Sequence, residues 1–202
     1  MTPVYKLSAN SVKNGRTVYG SMLAGNTAYE LPTAFESIAT VSVGSGGAAN
    51  VEFTSIPSTY THLQIRLIAR ESASVTNDYI YSQFNGDTAS NYATHQLSGD
   101  GSSAGAGAFT SIAQNYLQRI TGANTSSSIF GTMIIDILDY ANTNKYKTIR
   151  QLGGFDANGS GLIYFVSGLW QNTNAITSIK ITPGQGNYVQ YSHFALYGIR
   201  SA

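Results

Sequence analysis

Cysteine is absent, so neither a disulfide framework nor thiol chemistry is available, and the redox compartment is left open. Charge is nearly as scarce. Asp, Glu, Lys and Arg make up 10% of the 202 residues, against roughly 25% in an ordinary soluble domain. The formal net charge of +1 comes from scattered residues, so no basic stripe points to nucleic acid. No apolar run approaches the roughly 20 residues that cross a bilayer. The opening MTPVYKLSAN lacks the apolar centre of a secretory signal. The expectation is synthesis in a cytoplasm, no membrane partner, and any exit by another route such as lysis.

Hydroxyls, amides, glycine and 14 tyrosines take the place of charge, beside a hydrophobic content of 42% that suffices for a real core. Such a surface suits an adhesive, extracellular or virion protein, or one covered by neighbours. Regular alternation argues against disorder. The segment 35–70 shows it most clearly. Ala39, Val41 and Val43 recur at every second position, the period of a strand with one buried face. Gly44 to Asn50 (GSGGAAN) reads as a hairpin reversal, and Val51 and Phe53 restart the alternation. Pro57 marks a corner within Ile56 to Tyr60. Leu63, Ile65, Leu67 and Ala69 then share one face, with His62, Gln64, Arg66 and Arg70 on the other.

Further along, Tyr79 to Phe84 reads as a strand ending at the turn Asn85-Gly86-Asp87, followed by a short strand from Tyr92 to Leu97. Ser98 to Ala108 (SGDGSSAGAGA) reads as a flexible low-complexity loop. Residues 109–120 fit either a short helix or an edge strand. Ile129 to Leu138 and Leu162 to Trp170 carry apolar residues on both faces, which predicts cover on both sides and hence oligomerisation. Lys145 to Leu152, Ile176 to Thr182 and Gln190 to Ile199 complete about ten strands, the rhythm of a sandwich or jelly roll. The fold expectation is all-β: a jelly-roll-like antiparallel β-sandwich over residues 35–202. Residues 1–34 read as an extended N-terminal arm for anchoring, with Val4, Tyr5, Leu7, Val18, Tyr19, Met22 and Leu23 as its candidate partner-binding residues. The alternative is a terminus packed on its own domain.

The pattern for chemistry is thin. His62, His95 and His193 fall at no zinc-site spacing. Asp156, Asn158 and Ser160 open like a calcium loop, but its twelfth position is Ser167 instead of a bidentate Glu. Asp136 and Asp139 point to opposite faces of an extended segment, and Glu36 and Glu52 read as facing solvent or pairing with Arg66 or Arg70. No nucleophile elbow, phosphate loop or dinucleotide fingerprint occurs. The expectation is therefore a non-enzyme with no catalytic residue, no cofactor and no metal. Tyr79, Tyr81, Tyr92, Tyr164, Trp170 and Tyr197 suit a core, a protein interface or a glycan site. Arg66, Arg70, Lys145 and Lys147 read as a solvated face able to meet an acidic partner.

The segments FESIATVSVGSGGAANVEFTSIPSTYTHLQIRLIAR, LWQNTNAITSIKITP and GNYVQYSHFALYGI resemble a family of bacteriophage virion accessory proteins, especially from phages of cyanobacteria and other aquatic bacteria. The likeness runs from Phe35 to Ile199 and carries no catalytic motif. It implies a jelly-roll module used as capsid decoration (cement), head-fibre or tail-fibre protein, and a homotrimer or similar cyclic assembly. The expected function is capsid decoration: on the virion's exterior, the arm holds the major capsid protein and the shell is stabilised. The alternative is a tail-fibre or adhesin module binding host glycan through the loops 71–78 and 98–108.

Overall fold

The computed structural model describes residues 34–200. The seven arm residues Val4, Tyr5, Leu7, Val18, Tyr19, Met22 and Leu23 lie outside them. Within the described residues the alternation resolves into twelve strands and no helix. In order these are β1 (Phe35–Ser42), β2 (Val51–Phe53), β3 (His62–Ala69), β4 (Asn77–Phe84), β5 (Tyr92–Gly99) and β6 (Ala104–Ile112). They continue with β7 (Asn115–Thr121), β8 (Gly131–Leu138), β9 (Lys147–Asp156), β10 (Gly161–Trp170), β11 (Ile179–Pro183) and β12 (His193–Ile199).

The strands form two antiparallel sheets packed as a sandwich. The larger runs β1-β12-β3-β8-β9-β10-β5-β6 and the smaller β2-β11-β4-β7. The chain changes sheet at every connection except β5 to β6, β8 to β9 and β9 to β10. Two hairpins, β5–β6 and β9–β10, widen the larger sheet beyond β8. The core follows from the period-2 pattern: Leu63, Ile65 and Leu67 of β3, Met133, Ile135 and Ile137 of β8, and Phe194 and Leu196 of β12 all face Val51, Phe53, Ile80, Phe84, Ile179 and Ile181 of the smaller sheet. Trp170 and Tyr92 close one end of this core, their rings 6.4 Å apart, and Trp170 Nε1 donates to Asp87 at 2.8 Å. Asn85 and Gly86 take positive φ (53° and 66°), so the Asn-Gly turn after β4 forms as its sequence dictates.

Several expectations change. Gly44 to Asn50 is not a hairpin, because β1 pairs with β12 while β2 pairs with β11. Alternation and a glycine-rich reversal look alike whether the chain returns to the same sheet or crosses to the opposite one. Residues 98–108 are not a loop: Gly99 pairs with Ala104, and Ala104 to Phe109 add a strand to β5 in unbroken register. Glycine and alanine show no polarity alternation, so only the backbone ladder reveals that strand. The 109–120 segment is strand, divided between the end of β6 and the start of β7 by Ala113 and Gln114, with Ser111 at φ 53° where the register of β6 against β5 shifts. The second cover expected for β8 and β10 does not come from the described residues, among which each strand buries one face. Ile134, Ile163 and Phe165 point away from the core into solvent.

Candidate functional site

The register of the larger sheet sets out the site. Leu152 lies between Ile134 and Phe165, and Phe165 between Leu152 and Leu97. One row of large apolar side chains therefore crosses four adjacent strands on the outer face, about 14 Å at a strand spacing of ~4.8 Å. It stays open to solvent: Ile134 is 43% exposed, Leu152 50%, Phe165 48% and Leu97 59%, with Ile163 beside them at 59%. On the order of 500 Å² of contiguous apolar surface results, near the top of the range for a monomer's largest patch.

Polar residues border the row. On one side Gln64 Nε2 donates to Asp136 Oδ1 at 2.8 Å and Arg150 donates to Asp136 Oδ2 at 2.9 Å, with Ser167 and His95 continuing that line across β10 and β5. Toward β1, Arg66 pairs across the ladder with Ile134 and sets its guanidinium 5.3 Å from the Phe35 ring and 5.8 Å from the Tyr197 ring. Those two rings stack at 4.8 Å. Toward β6, the row ends at Ala106, beside a shallow groove of about 580 Å³ lined by Leu97, Phe165, Ala106 and Ala108. An apolar centre with a polar rim and flanking aromatic and arginine side chains is the composition of a protein-contact surface. A second concavity of about 680 Å³ lies at the strand ends around Gly99, Gly154, Gly161 and Ile163. Its acids are engaged locally, Asp100 accepting from Ser102 and Ser103 N–H and Asp156 from Asn158 N–H.

Most residues singled out by chemistry have structural duties. Arg70 is not on a solvated face; it is buried, and its guanidinium donates to the carbonyls of Thr125 (2.6 Å), Ser126 (2.9 Å) and Ile129 (3.3 Å). Lys147 is likewise buried, its ammonium donating to the carbonyls of Asn142 (2.6 Å), Lys145 (3.0 Å) and Thr173 (3.0 Å). Burial lowers the pKa of both cations. Lys145 pairs with Asp139, whose pKa is lowered first by that hydrogen bond. Glu36 accepts from Tyr60 Oη at 2.9 Å and pairs with Arg200, not with Arg66 or Arg70. Asp139 N–H donates to His62 Nδ1 at 3.0 Å, and His193 Nδ1 lies 3.0 Å from Ser42 Oγ. Asp156 and Asn158 form a side-chain-capped Asn-Gly turn with Asn158 at φ 56°. No cluster of three or more potential metal ligands occurs among the described residues.

The six candidate aromatics divide. Tyr92 and Trp170 are fully buried and Tyr164 nearly so. Tyr79 and Tyr81 flank Tyr116 edge-on at 5.4 and 4.8 Å, with Arg119 stacked 4.4 Å over Tyr79. Only Tyr197 lies on the outer face. The apolar row itself was visible in sequence only as strands apolar on both faces; which face stays open needed the strand order.

One buried acid was not anticipated. Glu71 is completely buried, and its carboxylate receives the Gln185 N–H at 3.4 Å while Oε1 has no partner. Burial, opposed by that bond and reinforced by Asp78, pushes its pKa up to about 7. Tyr188 packs beside it across an isolated bridge, also fully buried. No family model, no curated protein and no solved structure matches this chain.

Proposed function

We propose that this chain is a non-enzymatic structural protein that works by broad contact through the outer face of its larger sheet, in the setting its sequence resembles: decoration of a phage capsid exterior. The apolar row Ile134–Leu152–Phe165–Leu97 carries the reading. Leaving such a row in water costs roughly 25 cal/mol per Å² relative to covering it, so a surface built this way is made to be covered. The wiring supports a jelly-roll module: β1-β12-β3-β8 and β2-β11-β4-β7 are two facing four-stranded layers, with β5–β6 and β9–β10 as insertions that carry most of the row. In this setting the outer face and the arm, residues 1–34, bind the major capsid protein. Binding only the assembled lattice shifts the assembly equilibrium toward it.

An antibody against the chain, applied to intact particles from cells producing it, is expected to label the head. Particles free of the protein would overturn the virion setting. Removing residues 1–34 is expected to leave a folded domain that no longer sediments with capsids, and undiminished cosedimentation would refute the arm's role. A second reading, a tail-fibre or adhesin module for host glycan, is favoured by the open rings of Tyr146 and Tyr191, 52% and 74% exposed. Binding on a glycan array that is lost in the double variant Tyr146→Ala, Tyr191→Ala would select it.

A further inference from the structure

Among the described residues the two sheets have four edges, and three of them carry devices that discourage another strand. β2 is three residues long, β1 is broken by a register shift between Ser37 and Ala39 and carries Glu36, and β7 pairs across a shift opposite Tyr79 and Tyr81 and carries Arg119. The edge β6 differs. From Ala104 to Phe109 it keeps regular register with β5, and among the described residues no strand pairs with its other side. From Gly101 to Gln118 the chain has no charged residue and no proline. The side chains along the strand are those of AGAGAF, too small to hold a neighbouring backbone away.

From this edge we infer that β6 pairs antiparallel with β6 of a second copy of the chain, about a two-fold axis at Gly107, so that two larger sheets become one. The sequence is self-complementary in this register. Ala106 falls opposite Ala108 on the outer face, in both directions. Gly105 falls opposite Phe109 on the inner face, where an aromatic ring covers the backbone that a glycine leaves bare. Phe109 is preset for that role, stacked on Tyr116 at 4.5 Å and 11°. The pairing also joins the two grooves beside Ala106, and the two apolar rows then approach with an offset of two residues, since Ala106 pairs with Leu97 and Ala108 with His95. It rests on the edge strand alone and stands whether or not the outer face binds a capsid.

Edge pairing over about six residues buries less than the ~1,200 Å² total of a standard interface, so association is concentration-dependent. Sedimentation velocity of the full chain from about 1 µM to about 1 mM is expected to show monomer passing to dimer. The decisive variants sit at outward, exposed positions that leave the monomer's packing alone. Ala106→Lys with Ala108→Lys places like charges opposite each other, as does Ala106→Glu with Ala108→Glu, and each is expected to weaken self-association at least tenfold. Mixing the two variants is expected to restore a dimer containing one of each. Three outcomes would overturn the proposal: a wild-type chain that stays monomeric to 1 mM, a trimer, or a dimer indifferent to both charge pairs. A dimer broken by Phe165→Glu but not by the lysine pair would assign self-association to the outer face instead.

Discussion

Replacing Glu71 by Gln removes one buried negative charge at nearly constant volume and tests the electrostatics of the interior directly. The folded-state pKa of about 7 lies above the unfolded reference of 4.5. Between those values the folded protein holds a proton that the unfolded chain has released. Stability therefore falls as pH rises through this window, and the loss is complete above about pH 7. Some 2.5 pH units at about 1.4 kcal/mol each correspond to roughly 3 kcal/mol. The variant, neutral at every pH, is expected to match the wild type at pH 4.5 and to exceed it by up to roughly 3 kcal/mol at pH 8. Urea unfolding at pH 4.5, 6, 7 and 8 reads the difference, and other titrating groups cancel because both proteins share them. In thermal melts at pH 8 the gain is about 6–12 °C for a chain of this size. Parallel stability curves for the two proteins would refute the assignment of a raised pKa to Glu71. So would a variant less stable at every pH.

Other perturbations follow from the same packing. Lys147→Met leaves three inward carbonyls without their donor and is expected to destabilise by about 2–4 kcal/mol, read as a lower urea midpoint. Asp87→Ala removes the acceptor for Trp170, Asn91 and Ala89. Burial alone would raise the Asp87 pKa, but these bonds outweigh it and lower the value, so the stability they contribute is present above the unfolded pKa and is lost in acid; the variant is expected to flatten the acid limb of the stability profile. Phe165→Ser, on the open face, is expected to change stability by less than ~1 kcal/mol while reducing binding of a hydrophobic dye, and a large loss of stability would show that the residue is not open in solution.

The fold class was legible because β3 alternates so regularly that Leu63, Ile65 and Leu67 announce their face without help. Strand partners were not. Val41 and Val51 look like two arms of a hairpin, yet they belong to opposite sheets, since local alternation records burial and says nothing of which neighbour supplies the ladder. β6 was invisible for a related reason: Ala and Gly carry no face preference, and its strand exists through pairing with β5 alone. At the site, Ile134, Leu152, Phe165 and Leu97 were recognisable as strand residues, but their alignment into one row depends on β9, β10 and β5 being neighbours. Arg70 and Lys147 were misjudged because charged side chains default to solvent, and only the carbonyls gathered around their head groups explain their burial.

The wiring has one more consequence, for how the molecule is made. Among the described residues β1 pairs with β12, Phe35 lying opposite Ile199, and β12 is also the strand that separates β1 from β3. During synthesis the pairing of β1 with β12 therefore waits until almost all of residues 34–200 have left the ribosome. Such distant pairings fold slowly, and a stop even ten codons short of Ile199 would delete β12 and with it the pairing that joins β1 to β3 in the larger sheet.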